Sequence, residues 1–120
     1  MMKPSFILLS CLVVCACSNV DPNMAKPNES TLSGGKKIAF TFEQGNCLAC
    51  HVIAEGDSPG NIGPELKALP LRFKDKTQLR QFIWDATQFN PNTSMPPFGK
   101  NKILSDDDIQ QLVDYLWEIK

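Results

Sequence analysis

The densest chemistry in the chain lies at Cys47-Leu48-Ala49-Cys50-His51. Two thiols three positions apart, followed at once by an imidazole, have the spacing of a c-type haem attachment site. The cysteines reach the two vinyl groups of one haem and form thioethers, and His51 offers its ring to the iron as proximal ligand. Three other readings compete. A structural zinc site takes four protein ligands, and no second Cys/His pair stands after His51 to complete one. A thioredoxin-like pair belongs in a βαβ setting, which the sequence lacks. A plain Cys47–Cys50 disulfide is the third.

His51 is the only histidine, so a distal ligand must be of another type. Of the four methionines, Met1 and Met2 begin the chain and Met24 lies in a polar tract. Met95 sits in a Pro-rich stretch, Asn90-Pro91-Asn92-Thr93-Ser94-Met95-Pro96-Pro97-Phe98-Gly99. Prolines stiffen such a stretch and can hold a thioether sulfur at iron without a helix; the alternative is Met95 as an adaptable apolar filler. A His/Met pair raises the reduction potential, and a fully ligated iron suits electron transfer more than oxygen chemistry. Trp84 and Arg80 are candidates to meet the haem propionates, with core packing the alternative for Trp84.

The elements that must position these groups are helices. The chain's 120 residues allow one domain. A formal net charge of −1 argues against a nucleic-acid binder. Ser33-Gly34-Gly35 opens a helix over Lys36 to about Gln44, with Ile38 and Phe42 on one face and Gly45 as its stop. Asp75, with Gln78 three residues on, has the pattern of a capping box and starts a helix to about Phe89. Leu79, Phe82, Ile83 and Ala86 lie on its apolar side, and Asn90-Pro91 stops it. Ser105 caps a last helix whose first turn holds Asp106, Asp107 and Asp108, where the helix dipole favours negative charge. Ile109, Leu112, Val113, Leu116 and Ile119 form its apolar face. Phe40, Phe42, Tyr115 and Trp117 are expected to join the first and last helices. Between the helices run two long loops rich in Gly and Pro, from Glu55 to Pro70 and from Asn90 to Asn101. Such loops in a small domain are functional or packed on something, which suggests a ligand at the centre.

The other three of the five cysteines are Cys11, Cys15 and Cys17, in or at the end of an apolar run from Phe6 to Ala16 after Lys3. A positive start, a short apolar core and small residues beyond it describe a secretory signal; the run is too short to span a bilayer. Val14-Cys15-Ala16-Cys17 resembles a bacterial lipoprotein box with Cys17 lipidated. Ordinary cleavage to an unanchored exported protein is the alternative. The expected organisation is a signal over 1–16, a polar tether over 17–33 and one folded domain over 34–120. Export agrees with c-type haem, which is attached outside the cytoplasm.

With these residues placed, the sequence resembles the class I cytochromes c, and among them the SoxX family, the monohaem subunit of the SoxAX cytochrome of sulfur oxidation. Five stretches carry the resemblance, in order across most of the domain: Gly45 to His51, Gly60-Asn61-Ile62-Gly63-Pro64, Leu79 to Ala86, Asn90-Pro91 through Met95-Pro96-Pro97-Phe98-Gly99, and Ile103-Leu104-Ser105. The resemblance implies an all-α fold, with three to five short helices wrapped around one covalent haem c. It implies that the Pro64 carbonyl accepts the Nδ1–H of the proximal histidine, a contact that orients the ring. It implies a SoxA-like partner on which thiosulfate is joined oxidatively to a cysteine of the carrier SoxYZ. This chain would accept the electrons and pass them to another cytochrome, leaving catalysis to SoxA. A stand-alone class I electron carrier is the alternative. A haem-based sensor would need an open iron position, which Met95 opposes. The lipid anchor is not something the family requires.

Overall fold

The computed structural model describes residues 26–120. The signal and lipidation readings at Cys11, Cys15 and Cys17 fall outside the described residues. Three α-helices form the frame: α1 (Glu29–Phe40), α2 (Lys76–Trp84) and α3 (Asp106–Glu118). Three single-turn 3-10 segments punctuate the loops, at Cys47–Ala49, Leu69–Leu71 and Ala86–Gln88. No strand occurs among the described residues.

The first helix begins earlier than its hydrophobic pattern suggested. Asn28 caps it, its side-chain oxygen accepting from the Thr31 amide at 2.8 Å, so Glu29–Ser33 are helical and not the end of a tether. Asparagine is among the best N-caps because its oxygen satisfies an orphan amide of the first turn. Gly34 and Gly35 therefore lie inside α1. Gly35 is buried where α1 crosses α3: a Cβ there would stand 2.1 Å from the Gln111 carbonyl oxygen and 2.6 Å from the Tyr115 Cβ. The helix also ends earlier, at Phe40, with Thr41 as its cap. Gly45 folds back so that its amide donates to the Ile38 carbonyl at 3.0 Å. Phe42 consequently leaves the helical face and is 78% exposed, while Phe40 meets Tyr115 edge to face at 6.5 Å.

Asp75 caps α2 as its sequence indicated, accepting from the Gln78 amide at 2.8 Å. Gln78 reaches back to the amide of Lys74 (2.8 Å), one residue beyond a capping box. The helix stops at Trp84, short of Phe89, because Asp85 leaves the helical region (φ −155°, ψ 89°) and the chain restarts as the 3-10 turn Ala86–Gln88. Ser105 and Asp108 make the full reciprocal box at the start of α3. Ile109, Leu112, Val113 and Leu116 are buried, as are Leu79, Ile83 and Ala86. Apart from Ala86, these join Ile38, Ile53, Leu69, Phe98 and Leu104 in one core. Two ion pairs tie α2 to α3, Lys76–Asp114 (2.7 Å) and Arg80–Asp106 (2.8 Å). They run in opposite order along the two helices, so α2 and α3 lie head to tail.

Candidate functional site

Cys47, Cys50 and His51 occupy a single 3-10 turn and the residues just after it. The turn starts from Asn46 in the left-handed region (φ 45°, ψ 43°), a conformation asparagine tolerates better than most residues. The Cys47 carbonyl accepts the amides of Cys50 (3.2 Å) and His51 (2.8 Å). Curling the chain in this way puts both thiols and the imidazole on one short stretch of backbone. Both thiols are free, which sets aside the disulfide reading. Among the described residues no three His, Cys, Asp or Glu side chains converge on a metal-ion site, which leaves the zinc reading without support. Burial pushes the Cys47 thiol up to about 11, helped by the neighbouring Cys50.

The loop expected to be irregular is laced to this turn. Gly60 donates to the Leu48 carbonyl (2.7 Å), Gly63 to Cys50 (2.8 Å) and Leu66 to Val52 (2.8 Å). Within this lacing the His51 Nδ1 and the Pro64 carbonyl oxygen stand 2.6 Å apart. A carbonyl only accepts, so Nδ1 carries the proton and the Nε2 lone pair is the one left to bind. Two glycines permit the close approach. A Cβ on Gly63 would lie 2.3 Å from the His51 Cε1, and one on Gly60 would lie 2.1 Å from the Ala49 carbonyl oxygen.

Met95 lies at the rim of the main core, in the group of half-buried side chains that includes Cys47, Leu48 and Trp84. Its amide donates to the Thr93 hydroxyl at 3.1 Å. Trp84 packs beneath Gly99, where a Cβ would come within 1.9 Å of its ring. Arg80 holds Asp106. One residue of this region escaped the sequence reading: Asp85, which is 1% exposed and is the only charged or polar side chain in the buried set among the described residues. Its signal was a single acid inside an otherwise apolar helical face, Phe82-Ile83-Trp84-Asp85-Ala86.

The donor set fits a haem c: two free thiols at attachment spacing, an imidazole with Nδ1 engaged and Nε2 available, and glycines where the ring is most crowded. Residues 35–116 match the family model described as cytochrome C oxidase, cbb3-type, subunit III. The chain belongs to that cytochrome c family. No curated protein matches it. Among solved structures it is similar to the crystal structure of SoxXA from P. pantotrophus, with 28% identity, a TM-score of 0.65, and 72% of this chain and 79% of that chain covered. The family model gives the domain type and the solved structure gives the branch: this is a SoxX-like, electron-transfer cytochrome c with an all-helical fold.

Proposed function

We propose that this cytochrome is the electron-accepting subunit of a SoxXA-type complex and receives electrons released when thiosulfate is joined to a carrier cysteine. The observation that carries the electron-transfer part is the 2.6 Å contact from His51 to Pro64 beside two free thiols. The complex is suggested by the likeness to SoxXA. In this reading Cys47 and Cys50 would hold one haem through thioethers, with His51 Nε2 and Met95 as the side chains that would bind its iron. When bound, the haem supplies a one-electron couple. The chain's own residues tune and protect it. Donation from Nδ1–H to Pro64 fixes the ring and makes Nε2 a better donor. A methionine as second iron ligand would raise the potential. Arg80 and Trp84 are assigned to the propionates, which for Arg80 means exchanging Asp106 for a second carboxylate.

Cys47 and Cys50 are the only thiols among the described residues, and attachment uses both. Sulfur coupling is therefore assigned to a SoxA-like partner acting on a SoxYZ-like carrier, with a further cytochrome as electron acceptor. The alternative is a free-standing class I electron carrier. We further propose export and membrane retention through a lipid on Cys17; among the described residues no helix is long and apolar enough to cross a membrane.

The test is affinity capture of the full-length holoprotein co-expressed with a SoxA-type subunit, followed by addition of thiosulfate and carrier protein. Stable capture and thiosulfate-dependent reduction are expected. A cytochrome that elutes alone and stays oxidised sinks the complex and leaves the carrier. Cys17→Ser is expected to move the protein from the membrane to the soluble fraction; a wild type that is already soluble removes the anchor.

A further inference from the structure

The segment that presents Met95 is a loop closed at its base by two consecutive residues. Trp84 contributes its carbonyl oxygen, which accepts from the amides of Gly99 (3.1 Å) and Lys100 (3.2 Å) where the segment returns. Asp85 contributes its carboxylate. Oδ1 accepts from the amide and hydroxyl of Thr87 where the segment leaves. Oδ2 accepts from the Gln88 amide group (3.4 Å) and from the Lys100 ammonium (3.0 Å). One side chain thus joins the outgoing and returning strands of the loop. The pair is asymmetric: Asp85 is 1% exposed and Lys100 55%. A buried carboxylate is stable only when its acceptor sites are filled, so losing one partner strains the rest.

We propose that Asp85 is a positioning residue for Met95, a clasp that keeps the thioether at its ligating position by holding the two ends of the loop together. This rests on Met95 as the axial ligand. A thioether is a weak ligand, and its hold depends on effective concentration, which a closed loop maintains and an open one dilutes. An added ligand therefore competes better when the clasp is weakened. Charge-assisted hydrogen bonds of this kind are worth enough to shift that competition on the order of tenfold.

The experiment is titration of the oxidised holoprotein with imidazole, read as loss of the methionine–iron charge-transfer band. Wild type is compared with Asp85→Asn, Lys100→Gln, the double variant and Met95→Ala. The expected result is about tenfold tighter imidazole binding in Asp85→Asn and Lys100→Gln, with the band intact before imidazole is added. The double variant should be little worse than either single one, because one contact is removed in each. Wild-type imidazole affinity in both single variants overturns the clasp. So does an equal gain in affinity in a further comparison variant, Ile109→Val, which changes the core on α3 outside the loop. If Asp85→Asn yields no holoprotein, Lys100→Gln decides alone. A band that survives in Met95→Ala refutes the axial assignment itself, an outcome distinct from failure of the clasp.

Discussion

At the scale of single residues, the site depends on what is missing as much as on what is present. Gly63 leaves the space that the His51 ring uses to reach Pro64. Gly63→Ala is expected to push the ring off that carbonyl and to cost about 1–3 kcal/mol, the range for crowding a packed site. The check is a thermal melt together with the low-spin spectrum, and an unchanged potential and spectrum would count against Pro64 as the orienting group. Asp85 gives a pH signature. The Thr87 hydroxyl, then Lys100 and Gln88, hold its carboxyl down to about 2 against the penalty of its burial. A depressed carboxylate stabilises the fold above its unfolded pKa of about 4, and that contribution is lost as pH falls toward about 2. Wild type should therefore lose melting temperature faster than Asp85→Asn between these limits, and parallel curves would remove Asp85 as the source. The attachment run stands out in the sequence by its spacing, and the family resemblance pointed to the Pro64 contact that the structure contains. Asp85 was not, because an acid in a helical pattern ordinarily faces water, and only the folded chain places Lys100 and Thr87 around it.

At the scale of elements, α2 and α3 follow their sequence signals closely at their starts because the capping residues are local and strong. The first helix does not, and the reason is tertiary. Gly34-Gly35 is locally a helix breaker, yet packing against α3 carries the helix through it. The two glycines are not equivalent. A Cβ on Gly34 would meet only the Gln111 side-chain oxygen, at 2.1 Å, the movable end of a flexible chain. A Cβ on Gly35 would meet Gln111 backbone. Gly34→Ala is thus expected to be neutral or to stabilise by up to about 1 kcal/mol through helix propensity. Gly35→Ala is expected to destabilise by about 2 kcal/mol or more. Melting temperatures should move by roughly 4–8 °C per kcal/mol in a domain of this size. Equal effects at both positions would mean that the crossing is looser than these distances imply. The 3-10 turn at Ala86–Gln88 was likewise hidden, since Ala86 continues the apolar pattern of α2 and only the non-helical backbone of Asp85 breaks it.

At the scale of the whole molecule, the all-helical cytochrome c fold was legible because amphipathic helices, Pro/Gly loops and an attachment run leave few other architectures for one small domain. What the sequence left out was how the loops are secured: through paired carbonyls and amides, from Leu48 with Gly60 to Val52 with Leu66, and through the clasp under Met95. Backbone pairings of that kind leave almost no trace in residue types. The α1–α3 crossing also sets an order in time. A chain made from its N-terminus presents α1 and the Cys47–His51 run long before α3 emerges, and contacts so distant in sequence form late. Until α3 docks, the Gly35 face of α1 is uncovered and the core beneath the attachment turn is incomplete, which gives an attachment machinery an interval in which to work. A chain ended before Asp106 should therefore still acquire haem, scored by haem stain on a denaturing gel, yet melt without a cooperative transition. A truncated chain that acquires no haem would reverse the sequence of events and make closure the prerequisite for loading.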